Sequence, residues 1–177
     1  VSLSSVTATG NAYNNLRIDN TTGTTSSLSI SGGSYSNNQV GIGNHGILIE
    51  SRGTSQVTTA TVSGATISGN EVMGIQVATA DTASVSSFTV TGNTIQNNEL
   101  GIDFSKAQTS NLTFSILNNT GMTGQNSHGI NLFTAAGAGT TGNFRGRIEN
   151  NTIGNAGVAG SGSVSYTHLT LPTNREV

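Results

Sequence analysis

The chain has 177 residues, a net charge of −2, 8% charged residues and no cysteine. That length fits one domain or one piece of a longer protein, and the charged fraction is far below the usual value of about 25%. The sequence therefore lacks a basic, aromatic-interleaved surface for nucleic acid. It also excludes disulfides, a thiol nucleophile and Cys-ligated zinc, and a run of about 18 apolar residues that would cross a membrane as a helix.

Polarity comes instead from Ser, Thr, Asn and Gly, residues of strands and turns rather than helices. The opening Val1-Ser2-Leu3-Ser4 has neither the basic nor the apolar segment of a signal peptide. It does not begin with Met, so a mature or excised piece of a longer chain is expected. The first short apolar alternation is Leu16-Arg17-Ile18-Asp19, followed by Leu28-Ser29-Ile30, by Tyr35 and by an Asn37-Asn38 corner. Ile47-Leu48-Ile49-Glu50 then repeats the first alternation, now preceded by Gly46. The next unit reads Ala60-Thr61-Val62, Thr66-Ile67 and Ile75-Gln76-Val77-Ala78. After it come Phe88-Thr89-Val90, Thr94-Ile95 and Ile102-Asp103-Phe104-Ser105, then Phe114-Ser115-Ile116 and Ile130-Asn131-Leu132-Phe133. Phe144 to Ile148 and Thr152-Ile153 open one more unit.

Gly-Ile thus recurs at Gly46, Gly74, Gly101 and Gly129, at spacings of 28, 27 and 28 residues. Three short strands per unit of this length predict a coil of a parallel β-solenoid. A propeller blade needs four strands in about 40 residues, and a sandwich would not repeat one phrase at fixed spacing. The predicted fold is all-β: one solenoid of about five coils, spanning residues 1–163, with three strands per coil. Stacking predicts two inward columns, Leu16-Ile47-Ile75-Ile102-Ile130 and Ile18-Ile49-Val77-Phe104-Leu132. The outward column is Arg17, Leu48, Gln76, Asp103 and Asn131. Asn and Gly at the corners tolerate positive φ, and stacked Asn side chains can ladder hydrogen bonds between coils.

The phrase "GNTIQNNELGI", from Gly92 to Ile102, resembles the right-handed parallel β-helix of the pectate-lyase-like group. It is closer still to the Asn/Gly/Thr-rich β-helix segments of large bacterial surface and secreted proteins. The resemblance covers about Leu16 to Ser163, and right-handedness is carried over from it. It implies an extracellular or cell-surface location and no cofactor.

Candidate chemistry is sparse. Asn44-His45-Gly46 and Ser127-His128-Gly129 are similar to the Gly-His-Gly motif of polygalacturonase-like hydrolases. The adjacent aspartates of that family are missing, and glycoside hydrolysis needs paired carboxylates. Both His are read as corner residues three coils apart. Asp19, Glu50, Asp103 and Lys106 are placed together on the outward face of the strands that follow the Gly-Ile phrase or its equivalent, without the oxygen convergence that Ca²⁺ requires. Arg145 and Arg147 are read as outward residues of one strand. Phe88, Phe104 and Phe114 are expected in the core, with Phe133 the better candidate to stack on a ligand.

The functional expectation is a structural or adhesive segment that presents a flat face to a polysaccharide or a cell-surface protein. Arg17, Gln76, Asp103 and Asn131 are the ligand-binding candidates; no catalytic or metal residue is assigned. One alternative is a fragment of a polysaccharide lyase or glycoside hydrolase whose catalytic cluster lies elsewhere. Another is an inert spacer. Both solenoid ends are unpaired edges, so end-to-end association is expected. Val164 to Val177 breaks the rhythm, holds the single proline, Pro172, and is set apart as a tail. It resembles adapter sequence translated at the end of metagenomic contigs; a genuine irregular cap is the other reading.

Overall fold

The structure, a computed structural model, describes residues 1–38, 44–135 and 139–154, and the backbone of 164–166. Its strands, numbered along the chain, fall into parallel sheets stacked as a β-solenoid of about five turns. Sheet A holds β1 (Ser2–Ser4), β4 (Thr24–Ser31), β7 (Gln56–Ser63), β10 (Ser84–Thr91), β13 (Asn111–Leu117) and β16 (Phe144–Glu149), in that spatial order. Sheet B holds β2 (Thr7–Thr9), β5 (Ser34–Ser36), β8 (Thr66–Ser68) and β11 (Thr94–Gln96). A bridge from Gln96 to Thr123 leads on to the short pair β14 (Thr120–Met122) and β17 (Thr152–Ile153). Sheet C holds β3 (Leu16–Asn20), β6 (Ile47–Ser51), β9 (Met73–Thr79), β12 (Leu100–Lys106), β15 (Ile130–Thr134) and β18 (Val164–Tyr166).

Every strand therefore pairs with its equivalent one coil away. Sheet C pairs Leu16 with Ile47, Ile47 with Ile75, Ile75 with Ile102 and Ile102 with Ile130, the register expected from the Gly-Ile phrase. Ile47, Ile75, Ile102 and Ile130 are fully buried, as are Val77, Phe104 and Leu132 beside them. Leu16 and Ile18 are only partly buried, because the first coil is covered on one side. The expected aromatic core is present. Phe104 stacks on Phe114 at 4.9 Å between centroids and meets Phe88 edge-on at 5.5 Å, arrangements that suit the ring quadrupole. Backbone pairing of Ile130–Leu132 with Val164–Tyr166 adds the last strand to sheet C; the rest of the tail lies outside the described residues.

The corners explain the Asn content. Between sheets A and B, φ is positive at Gly32, Gly64, Gly92, Asn118 and Asn150. The next residue turns inward, and there Asn93, Asn119 and Asn151 form a ladder. Asn93 Nδ2 donates to Asn119 Oδ1 at 3.0 Å, and Asn119 Nδ2 to Asn151 Oδ1 at 2.9 Å. The same amide groups donate to the carbonyls of Val62, Val90 and Ile116. Between sheets B and C a second seam runs through Asn70, Asn98 and Gln125. Backbone groups left unpaired where the chain leaves a sheet are thus satisfied inside the corner, which burial demands.

The Gly of the Gly-Ile phrase has a steric cause. A Cβ on Gly46 would lie 2.7 Å from the Gly74 carbonyl oxygen, and one on Gly74 would lie 2.7 Å from that of Gly101. The column is kept bare because the coil above occupies the space a side chain needs.

Candidate functional site

The outward surface of sheet C is built from three columns, and their side-chain sizes decide its shape. The first is the expected Arg17-Leu48-Gln76-Asp103-Asn131 series. Its members are not equally exposed. Arg17 is exposed, Gln76 and Asn131 are half-buried, and Leu48 and Asp103 are buried, Asp103 to 3%. A buried carboxylate needs hydrogen bonds to be tolerated. Asn131 Nδ2 donates to Asp103 Oδ1 at 2.6 Å, and Gln76 Nε2 donates to Oδ2 at 3.3 Å. Burial pushes the Asp103 carboxyl above the usual carboxylate range, against the hydrogen bonds from Asn131, Gln76 and Ser105, which pull it down.

The second column runs Asp19, Glu50, Ala78, Ser105, Phe133. Two carboxylates, two short side chains and an aromatic ring leave a notch over the middle coils. Beyond it, Arg52 is followed by Ala80, Ala107 and Ala135, which extend the notch sideways. The result is a groove of about 510 Å³. Ala78, Ser105 and Ala107 floor it, Glu50 and Arg52 close one end, and Phe133, 44% exposed, stands at the other. From Glu50 to Phe133 is three coil steps, about 14 Å at the usual inter-strand spacing.

At the Glu50 end, Arg17 meets Glu50 at 2.9 Å and Asp19 at 3.1 Å, while Arg52 meets Glu50 at 2.5 Å and Asp19 at 3.7 Å. These four charges neutralise one another at the rim. Lys106 corrects the sequence reading. It pairs in register with Thr79, so it has the inward parity of Ile102 and Phe104 rather than that of Asp103. It is 2% exposed, its Nζ donates to the carbonyls of Gln108 and Thr141, and burial pushes its pKa down.

His45 and His128 precede β6 and β15, three coils apart, and do not share a site. The His45 ring is buried with no partner for Nδ1; burial lowers its pKa, with Glu50 acting in the opposite direction. The His128 carbonyl accepts the Gly101 N–H. Arg145 and Arg147 lie exposed on β16, and Arg147 pairs with Glu149 at 3.6 Å. Among the described residues no three His, Cys, Asp or Glu side chains converge to hold a metal, and no helix is long and apolar enough to cross a membrane.

The structure therefore brings Gln76, Asp103 and Asn131 together and leaves Arg17 beyond the groove, in the rim network. Glu50, expected on this face, forms one wall with Arg52, which sequence reading missed together with the floor of Ala78, Ser105 and Ala107. The run of residue sizes down the second column carried the signal. No family model, curated protein or solved structure matches the chain.

Proposed function

We propose that this chain is a structural and adhesive segment of a large secreted or surface-anchored bacterial protein, and that sheet C presents the groove to glycan. The carrying observation is the break in an otherwise regular stack. An exposed aromatic ring stands at one end of a floor of small residues, beside a polar ladder fixed by its own hydrogen bonds. Recognition sites combine apolar surface with a few convergent polar groups in this way. The rigid stack holds those groups in place before a ligand arrives, which limits the ordering cost of binding.

The carboxylates favour binding over cleavage. Both oxygens of Asp103 accept amide hydrogen bonds, and Glu50 is paired with two arginines. A hydrolase needs one carboxyl free to protonate the leaving oxygen and another to activate water or attack. The test incubates the labelled chain with immobilised glycans and assays the same wells for released reducing ends. Binding without release is expected. Release of sugar would replace this reading with an enzymatic one, and the absence of binding to any glycan would leave a spacer.

A further inference from the structure

The groove's charges narrow the ligand class. We infer that, within the glycan-binding reading on which this rests, the groove selects a neutral sugar chain lying along the solenoid axis, one ring against Phe133 and its hydroxyls on the Gln76–Asp103–Asn131 ladder.

Three observations carry it. The cations lining the groove are committed. Lys106 is buried against two carbonyls, and Arg52 is held by Glu50 and Asp19. An anionic sugar needs charge-assisted contacts from Arg or Lys, and here would face Asp103 with Lys106 and Arg52 already paired elsewhere. Next, the ladder suits hydroxyls. Gln76 and Asn131 each give one N–H to Asp103, and a primary amide has a second N–H and a carbonyl oxygen. Each half-buried amide thus offers both a donor and an acceptor, the pair that a hydroxyl matches. Lastly, the two coils that precede Phe133 along the axis place the small residues Ser105 and Ala78 in its column. A sugar ring has an apolar C–H face and a polar rim, and it can lie on the aromatic face while its rim reaches the neighbouring column. The notch runs across the strands, so the chain direction follows the stack.

The experiment is affinity electrophoresis of the full chain in native gels containing neutral polysaccharides (dextran, galactomannan, mannan) or anionic ones (polygalacturonate, hyaluronan). Phe133→Ala removes the stacking face at an exposed position, and Ala78→Arg fills the floor. Circular dichroism verifies that each variant keeps its strand content. Retardation is expected with at least one neutral polysaccharide, weakened about tenfold or more in both variants, as for a central anchor. Retardation by anionic polymers alone, or by neutral ones equally in wild type and both variants, overturns the neutral-groove assignment and leaves the glycan-binding reading intact. No retardation in any gel overturns both.

Discussion

Two regions of this solenoid obey the same stacking rule to different ends. In the seam between sheets A and B, the column Asn93-Asn119-Asn151 repeats one side chain, and each amide bonds to the next coil. On the outward face of sheet C, the column Asp19-Glu50-Ala78-Ser105-Phe133 changes size and chemistry at nearly every step. The uniform column joins coils; the irregular one leaves a groove. In a repeat whose interior is constrained coil by coil, departures from uniformity on the surface mark where a ligand can be accommodated.

The contrast is broken most severely by Asn119→Ala. That change orphans the Val90 carbonyl and the Asn93 N–H, both buried. Each unsatisfied buried group costs about 1–3 kcal/mol, so urea denaturation is expected to show a loss of roughly 2–6 kcal/mol. Gly74→Ala comes next. Its Cβ would sit 2.7 Å from a backbone oxygen and 3.0 Å from the Asn98 amide, and overpacking of this kind costs about 1–3 kcal/mol. The same denaturation series measures it.

The smallest effect sharpens the other side of the comparison. The folded-state pKa of Asp103 is raised by burial, so the folded chain holds that proton more tightly than the unfolded chain does. Stability should then fall as pH rises from the ordinary carboxylate pKa, about 3.9, toward the raised value, and level off above it. Thermal melts across that range are expected to show this slope in the wild type and its loss in Asp103→Asn. An unchanged slope in the variant would assign the effect to another group.

Much of the fold was legible in the residues. The Gly-Ile phrase set the phase, and alternation from Ile47 or Ile102 then assigned the two apolar inward columns of sheet C. Lys106 escaped because it lies at the end of β12, where the strand runs past the four-residue phrase and parity rather than charge decides its direction. The groove escaped for a different reason. The outward column was read as a presenting surface, but exposure at Asp103 depends on Gln76 and Asn131 one coil to either side, and on the sizes in the adjacent column. Ala78 looks like an interruption of an acidic series; beside Phe133 and Ser105 it is the floor. The Gly requirement was visible as a pattern, while its cause, the carbonyl of the next coil, needed coordinates.

The bare glycine column also has a genetic consequence. Gly46, Gly74 and Gly101 each face the equivalent backbone of the following coil, so one coil's interface is interchangeable with the next. Duplicating the codons of a whole coil would insert a rung that meets both neighbours in the same backbone register, lengthening the stack along its axis. A one-codon deletion inside a strand reverses the parity of every residue after it up to the next corner, turning its inward side chains out to solvent. Recombination between repeats is therefore expected to be tolerated where small slips are not, so that the reach of this molecule should change more readily than its girth.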